Sequence, residues 1–313
     1  MKKENSKALK NILVTGATGF LGHHVISKLV AEGYKVGILK RKFSDLSRLN
    51  PFLSLIDIFD LDTMLIPEIL TSFQGDAIIH LATNYGRSLN EPITGVIESN
   101  LVFPLSLLEC SGEFKIKVFI NTDTYFNKFS IPYGKLPAYS LSKQNLLEWM
   151  TILRQKSSIK LLNLRLEHIF GPHDNSNKFL PFLIENLKNN VPKIDLTLGT
   201  QRRDFIYVED VVDAFLTLIK KYHLIPSVDN SYIEYEVGTG ESILLRDFVE
   251  MIHDSLNSRT KLNFGAIPYA NYEIMDSKAS INPLKNLGWH PQHTLSEGIE
   301  KTLYSNPYCF LNQ

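Results

Sequence analysis

Short apolar runs alternate along the chain with longer stretches in which apolar residues recur at helical spacing. The apolar runs cover residues 11–15, 35–39, 55–59, 77–82, 117–122, 160–166 and 232–238. The helical stretches cover residues 20–32, 62–73, 93–112, 138–157, 208–222 and 245–257. Runs that are apolar on both faces and separated by helices are typical of a parallel sheet covered on each side. The pattern therefore predicts a doubly wound α/β sheet of about seven strands.

The regular alternation lapses after residue 172. Segments 171–203 and 258–292 are rich in loops and are interleaved with elements that return to the sheet. The pattern predicts a sheet domain and a smaller, discontinuous C-terminal lobe. The sheet domain would comprise residues 1–167, with 204–240 returning to it, and the lobe would comprise residues 168–203 and 241–313. We expect the lobe to cover the carboxyl ends of the strands, where sheets of this class bind ligands.

Composition narrows the class of protein without identifying it. Hydrophobic residues make up 44% and charged residues 21% of the 313 positions, as in soluble globular proteins. The 33 Lys and Arg balance the 33 Asp and Glu, so we expect neither nucleic acid nor a membrane as a partner. The sequence has no apolar run long enough to span a membrane and only two cysteines, which favours a cytoplasmic protein. Its histidines show no metal-ligand spacing, so no metal site is expected.

Three glycines lie between the first apolar run and the first helical stretch, in the sequence TGATGFLG. They would let the backbone turn tightly and approach a pyrophosphate, whose charge a helix N-terminus favours. A purely structural turn is the alternative, but a strand, a glycine turn and a helix in this order are the context that dinucleotide binding requires. We therefore predict a dinucleotide site in a Rossmann-type domain. Its residues would be Gly16, Thr18, Gly19, Phe20, Leu21 and Gly22.

The identity of the dinucleotide depends on the end of the second strand. An acidic residue there binds a ribose 2′-hydroxyl, whereas an arginine accommodates a 2′-phosphate. The sequence has the basic turn KRK at residues 40–42, which favours NADPH over NAD, with Arg41 as the phosphate ligand. The alternative is a solvated turn without a ligand. Further on, Asp60 and Leu61 are candidates for contact with the adenine edge, and a helix cap at Asp62 is the alternative.

A tyrosine and a lysine share one face of the helical stretch that begins near residue 138. Tyr139 and Lys143 are four positions apart and therefore point the same way. A phenol with a pKa near 10 is a poor proton donor at neutral pH, and a nearby ammonium lowers that pKa. Such a tyrosine could protonate a carbonyl oxygen while a hydride reaches the carbon. On many helices this pair has no function, but here the preceding strand ends with Thr122, whose hydroxyl could bond the same oxygen.

Together these motifs resemble the extended short-chain dehydrogenases/reductases, the NAD-dependent epimerase/dehydratase family. The resemblance also rests on HLA (80–82), RLEHIFGP (165–172), RRDFIYVEDVVDA (202–214) and LGWHP (287–291), and it covers almost the whole chain. Within the family, the sequence is most similar to 4-ketoreductases that make CDP-linked 3,6-dideoxyhexoses for O-antigen. The resemblance implies NADPH-dependent reduction of a nucleotide-linked 4-keto-6-deoxyhexose, with a CDP-sugar as the favoured substrate.

The resemblance also assigns roles to individual residues. Tyr139 matches the acid/base of the family, Lys143 matches its partner, and Thr122 matches the hydroxyl that polarises the sugar oxygen. The strand end that lines the cofactor cleft in this family is matched by His80, Leu81 and Ala82, and Thr83 beside it is a further candidate cofactor contact.

The substrate side matches the family less completely. Arg203 matches an arginine that grips the diphosphate through its forked donors, and an ion pair with Asp204 or Glu209 is the alternative. His168 stands where the family usually has a substrate-contacting asparagine, and either donates a hydrogen bond to substrate or is simply packed. A second arginine that the family often has is replaced in this chain at residues 270–271. Other groups must therefore help to bind the diphosphate.

The residues after Thr122 bear on the type of reaction. Sugar dehydratases of this family carry Asp-Glu there, as the acid and base of water elimination, whereas this chain has Asp123 and Thr124. The missing carboxylate argues against a dehydratase, and both residues become candidate substrate contacts, although Asp123 could equally cap a turn. An NAD-dependent 4-epimerase shares all of these motifs and is the second hypothesis. A non-catalytic dinucleotide sensor is less favoured, because both Tyr139 and Lys143 are present.

The resemblance further implies a homodimer. Members of the family often pair two long helices from each subunit into a four-helix bundle. Segments 93–112 and 138–157 would be those helices here.

Overall fold

The computed structural model describes residues 8–87, 92–129, 136–154, 158–226 and 231–305. Its strands are β1 (Asn11–Thr15), β2 (Lys35–Lys40), β3 (Ile56–Asp60), β4 (Ala77–His80), β5 (Val118–Thr124), β6 (Lys160–Leu166), β7 (His168–Phe170), β8 (Lys193–Leu196), β9 (Arg202–Arg203), β10 (Phe205–Tyr207), β11 (Ile233–Val237), β12 (Ile243–Leu244), β13 (Lys261–Phe264) and β14 (Asp276–Ser277). Its α-helices are α1 (Phe20–Ala31), α2 (Ile66–Phe73), α3 (Ile93–Ile97), α4 (Phe103–Glu113), α5 (Pro137–Arg154), α6 (Phe179–Lys188), α7 (Val208–Lys220), α8 (Leu245–Ser255), α9 (Asn282–Asn286) and α10 (Leu295–Tyr304). A π-helical turn, Glu98–Val102, joins α3 to α4, and 3₁₀ turns cover Ser47–Phe52 and Tyr125–Lys128.

The main sheet has seven parallel strands in the order β11-β6-β5-β4-β1-β2-β3. The chain begins in the middle of the sheet, adds β2 and β3 on one side, and then returns past β1 to add the other strands. The strand order therefore reverses between β1 and β4, and sheets of this class bind ligands at the carboxyl ends of such a pair. The predicted doubly wound sheet is confirmed.

Both faces of the sheet are covered, because successive residues of a strand point to opposite sides. In β1, Ile12 and Val14 belong to the core that α1 and α7 cover, and Leu13 belongs to the core under α2, α4 and α5. All three side chains are completely buried. This double burial is the reason that the strands are continuous apolar runs rather than alternating ones.

A third core belongs to the smaller lobe. It includes Leu183 and Leu187 of α6 and Ile194 and Leu196 of β8, packed with residues of α8 and α10. The segment 171–203, which the sequence predicted to be rich in loops, therefore also contains α6 and β8. α6 begins without a side-chain N-cap, so the sequence lacked the usual signal for a helix start. The boundaries given above for the two parts stay predictions.

The helix after β3 begins later than the sequence pattern predicted. The carbonyl of Asp60 accepts hydrogen bonds from the backbone N–H groups of Thr63 and Met64, so these residues form a turn. α2 then begins at Ile66, and Asp62 does not cap it.

Candidate active site

A cleft of about 1730 Å³ runs along the carboxyl ends of the strands from the start of α1 to the smaller lobe. Every residue that the sequence nominated for the cofactor and substrate sites lines this cleft, except Asp60 and His80. His80 is completely buried, and its Nδ1 lies 2.8 Å from the hydroxyl of Thr15. The fold therefore brings together positions that lie as far apart in the chain as Gly16 and Arg203.

The three glycines of the glycine turn (residues 16–22) have different surroundings and therefore different roles. Gly16 has a φ of +70°, and a Cβ there would lie 2.5 Å from the backbone nitrogen of Ala82. A Cβ on Gly22 would lie 2.1 Å from the carbonyl oxygen of Gly16. Gly19 is different, because the nearest neighbour of its Cβ would be the same oxygen at 3.2 Å. The fold therefore requires glycine at 16 and 22, whereas at 19 glycine keeps the cleft open beside the N-terminus of α1, as a pyrophosphate requires.

The basic turn (residues 40–42) lies at the adenosine end expected for this cleft. Lys40 and Arg41 line the cleft, and Arg41 is exposed. Lys40 also pairs across to Asp60, its register partner in β3. The Asp60 carboxylate accepts a second bond from the backbone N–H of Asp62 at 3.0 Å. The adenine contact of Asp60 stays a prediction, and in the free protein its carboxylate is bonded to these two partners. Leu61 does line the cleft.

The candidate proton donor lies in the wall of the cleft beside Thr124, at the end of β5. Tyr139 is 7% exposed, and its hydroxyl makes a hydrogen bond with the side chain of Thr124. Thr122, the residue selected from the sequence, instead donates its hydroxyl proton to the carbonyl of His80 at 2.9 Å. The Thr122 carbonyl accepts a bond from Nζ of Lys143 at 2.8 Å. In the free protein, Thr122 therefore holds the lysine and Thr124 contacts the tyrosine.

Burial dominates the electrostatics of this pair. It raises the pKa of Tyr139 well above the usual value of a phenol; the neighbouring Tyr85 and Asp123 raise it further, and the bond from Thr124 opposes them. Burial also lowers the pKa of Lys143 to about 8, against a smaller opposing effect of Asp123. The expectation that the ammonium lowers the pKa of the phenol is therefore wrong for the free protein. The phenol stays protonated at neutral pH.

A buried asparagine that the sequence analysis missed holds the surrounding segments together. Asn100 lies on the π-helical turn and is completely buried. Its side-chain carbonyl accepts from the backbone N–H of Asn84 at 2.7 Å, and its amide donates to the Asn84 carbonyl at 2.8 Å. The amide also donates to the hydroxyl of Ser142 at 3.0 Å, and that hydroxyl donates to the carbonyl of Tyr139. A π-helical turn often marks a functional site, but no local sequence signal reveals one.

Asp123 is engaged in an ionic network at the end of β5. Its carboxylate accepts from Nε of Arg165 at 3.0 Å and from the side chain of Asn127 at 2.8 Å. Arg165 also pairs with Glu234 at 2.7 Å. The bond to Asn127, four residues later, fits the interpretation as a turn cap, and the other carboxylate oxygen is already bonded to Arg165.

Arg203 lies buried at the lobe side of the cleft and pairs with Glu273. The predicted alternative partners, Asp204 and Glu209, are not involved. A second nitrogen of the guanidinium donates to the carbonyl of Arg202 at 2.8 Å. Both Arg203 and Glu273 line the cleft, so an anion that binds this arginine must share it with a carboxylate or displace that carboxylate.

His168 is packed among aromatic rings while still lining the cleft. Its ring centroid lies 4.3 Å from that of Tyr125 and 5.6 Å from that of Phe205. These contacts fix the plane of the imidazole, whether His168 donates a hydrogen bond to substrate or is only packed.

The chemistry of the whole cleft suits a dinucleotide at the glycine turn and a proton donor near its middle. In the parts of the chain that the structure describes, no group of three or more His, Cys, Asp or Glu side chains could hold a metal ion. The arrangement is therefore suited to moving a proton to or from an oxygen beside a bound nicotinamide.

Comparison with known proteins agrees with this geometry. The sequence profile of the NAD dependent epimerase/dehydratase family matches residues 12–238. The chain is 36% identical to CDP-abequose synthase of Salmonella muenchen over 295 residues, which are 94% of this chain and 97% of that one. It is 25% identical to dTDP-4-dehydro-6-deoxyglucose reductase of Escherichia coli, covering 95% and 98% of the two chains. Among solved structures, UDP-glucose 4-epimerase of Thermotoga maritima aligns with a TM-score of 0.79 and 22% identity over 94% of this chain and 97% of that one.

Proposed function

Because the chain belongs to the NAD-dependent epimerase/dehydratase family, we propose that it is an NADPH-dependent 4-ketoreductase of a nucleotide-linked 4-keto-6-deoxyhexose. The observation that carries this proposal is the buried, protonated Tyr139 beside Thr124 in the wall of the cleft, which Lys143 of the same helix also lines. A reductase needs one proton donor, whereas elimination of water needs a second carboxylate, for which this chain has Thr124.

A bound nicotinamide supplies the hydride in such a reaction. The glycine turn would bind its pyrophosphate, and Lys143 would bind its ribose while remaining attached to the carbonyl of Thr122 at 2.8 Å. Tyr139 would donate its proton to the 4-oxygen of the sugar as that oxygen gains negative charge. Thr124 would stabilise the phenolate left behind through the hydrogen bond that it already makes. Thr122 would polarise the same 4-oxygen after turning from the carbonyl of His80.

The smaller lobe would hold the nucleotide. Arg203 would bind the diphosphate in exchange for Glu273, and His168 would contact the sugar or the diphosphate from its aromatic stack. A CDP-linked 4-keto-6-deoxyhexose, or its 3,6-dideoxy counterpart, is the substrate class that the relative named CDP-abequose synthase supports. The product would then serve synthesis of a surface polysaccharide such as O-antigen.

Tyr139→Phe tests the assignment. The purified protein is mixed with NADPH and CDP-, dTDP- or GDP-linked 4-keto-6-deoxyhexoses, and loss of NADPH absorbance is followed. The wild type should oxidise one NADPH per sugar reduced, and the variant should lose about 10²- to 10⁴-fold in rate while still binding NADPH. No oxidation with any of the three sugars, or a variant as fast as the wild type, would contradict the proposal. Tightly retained NAD with interconversion of 4-epimers and no net oxidation would instead indicate the 4-epimerase.

We also propose that the protein forms a homodimer through its two long helices. α3, the π-helical turn and α4 form one helix, Ile93–Glu113, that is long and apolar enough to span a membrane, yet only 28% of its most apolar window is buried. The adjacent α5 also exposes large apolar side chains, including Trp149 at 48% and Ile152 at 46%. Pairing these helices with those of a second copy would cover both surfaces. The wild type should have twice the monomer mass in light scattering and Trp149→Glu the monomer mass, and a monomeric wild type would contradict this proposal.

A further inference from the structure

We propose that Arg48 is a positioning residue that couples binding at the glycine turn to binding on the lobe side of the cleft. This inference rests on the proposed function only in taking the glycine turn as the cofactor site and the lobe as the nucleotide-sugar site. Arg48 is in neither the cofactor-binding nor the substrate-binding set of residues predicted from the sequence. It lies on the 3₁₀ turn Ser47–Phe52 that follows the basic turn.

The guanidinium of Arg48 bonds to both sides of the cleft. One terminal nitrogen donates to the carbonyl of Thr18 in the glycine turn at 3.3 Å. The other terminal nitrogen donates to the carbonyl of His173 and to the side-chain oxygen of Asn175, both at 2.9 Å. Thr18 and Asn175 line the cleft, and they are contributed by the sheet domain and by the segment that leads into α6.

The segment from Pro172 to Lys178 makes two further contacts with the start of α1. Nε2 of His24 lies 3.3 Å from the carbonyl oxygen of Pro172, and the ammonium of Lys178 lies 5.1 Å from the centre of the Phe20 ring. Lys178 is in turn held by Asp174 at 2.8 Å. The wall of the cleft on the lobe side therefore rests directly on the helix that begins at the glycine turn.

The geometry of arginine explains why this residue can join the two sides. A guanidinium is planar and carries donors on separate nitrogens, so it can hold acceptors from two segments in one fixed orientation. Lysine has a single nitrogen on a flexible stem and cannot reproduce that fork. A ligand that fixes Thr18 therefore also fixes Arg48 and the acceptors on residues 173–175. Because coupling between two binding sites is reciprocal, a ligand on the lobe side must tighten cofactor binding by the same factor.

The test measures this factor directly by calorimetry. The dissociation constant of NADPH or NADH, whichever binds more tightly, is determined for the full chain with and without saturating CDP. In the wild type, CDP should tighten cofactor binding about fivefold or more. Arg48→Ala should reduce the factor to below about twofold, with Arg48→Lys in between. Arg259→Ala is the matched control, because this exposed arginine does not line the cleft and should leave the factor unchanged.

A second variant keeps the inference testable if Arg48→Ala does not fold. Asn175→Ala removes one acceptor on the lobe side and leaves the contact with Thr18, so the coupling factor should fall although no atom near the cofactor turn has changed. A wild type without coupling would overturn the inference. So would unchanged coupling in folded Arg48→Ala or in Asn175→Ala.

Failure of the proposed reaction would look different. Binding of cofactor and CDP requires no turnover, so a protein that shows coupling but reduces no 4-keto sugar would refute the reductase and leave the role of Arg48 standing. A protein that reduces a 4-keto sugar but shows no coupling would support the reductase and refute the role of Arg48.

Discussion

The glycine turn yields a sharp prediction, because only one of its glycines faces the space that a ligand would fill. In Gly19→Ala, the new methyl group would meet the carbonyl oxygen of Gly16 at 3.2 Å and no other atom within 4 Å. The carbonyl oxygen of Gly16 must move by only a few tenths of an ångström to make room for the methyl group. Gly19 is also the N-cap of α1, where alanine is worse than glycine by about 1 kcal/mol. We therefore expect a folded variant whose melting temperature is lower by about 2–4 °C.

Cofactor binding should suffer far more than folding. The methyl group would occupy the space beside the first backbone N–H groups of α1 and push an anionic pyrophosphate away from them. Loss of one hydrogen bond to a charged group costs about 1.5–3 kcal/mol, which raises the dissociation constant about 10- to 150-fold. Calorimetric titration with NADPH and NADH measures this change, and thermal unfolding measures the stability.

Gly33→Ala provides the matched control. Gly33 has a φ of +78°, so alanine there is strained by about 1–2 kcal/mol, although its methyl group would meet nothing within 4 Å. Gly33 does not line the cleft. The two variants should therefore lose similar stability, and only Gly19→Ala should lose cofactor affinity. Unchanged affinity in Gly19→Ala, or equal losses in both variants, would show that the glycine turn does not hold the dinucleotide.

Three further predictions concern other residues of the cleft. Thr124→Val should lower the single-turnover rate of reduction about 10- to 100-fold, because the phenolate of Tyr139 loses a hydrogen bond; an unchanged rate would contradict that contact. Because the pKa of Lys143 is about 8, kcat/KM of the wild type should fall as pH rises through about 8 and the ammonium loses its proton. Lys143→Arg should remove that fall up to about pH 10, and a retained fall would point to another group. Arg41→Ala should weaken NADPH about 10- to 100-fold by calorimetry and leave NADH unchanged, whereas equal effects on both would place the 2′-phosphate elsewhere.

The features that the sequence predicted well are those encoded locally. A strand buried on both faces must be an apolar run, as β1 is, and a tyrosine and a lysine four residues apart on a helix must share a face. A glycine turn between a strand and a helix can likewise be recognised from a few neighbouring residues. These local signals sufficed for the sheet and for the set of residues that line the cleft.

The features that the sequence did not predict are contacts between distant segments. Arg203 was expected to bind a diphosphate, with a nearby acidic residue as the alternative partner, but in the free protein its partner is Glu273, 70 positions away. The ion pair between Lys40 and Asp60 depends on the register of β2 and β3, which the sequence did not specify. Asn100 and Arg48 act through backbone carbonyls and amides, which no side-chain motif can reveal. Each of these contacts depends on how the strands and the lobe come together.

The protonation state of Tyr139 bears on the direction of the reaction. Burial raises the pKa of this phenol, and Tyr85 and Asp123 raise it further, so the free protein offers a proton rather than a base. Reduction of a ketone consumes that proton in its first step, because the forming alkoxide is a stronger base than phenolate. Epimerisation must begin by removing a proton from a sugar hydroxyl, which requires the phenolate. The free protein therefore already holds the proton that the proposed reduction consumes, and an ultraviolet difference titration of the wild type against Tyr139→Phe should show no phenolate below about pH 10. A phenolate that forms near neutral pH without cofactor would contradict the raised pKa of Tyr139 and remove this argument.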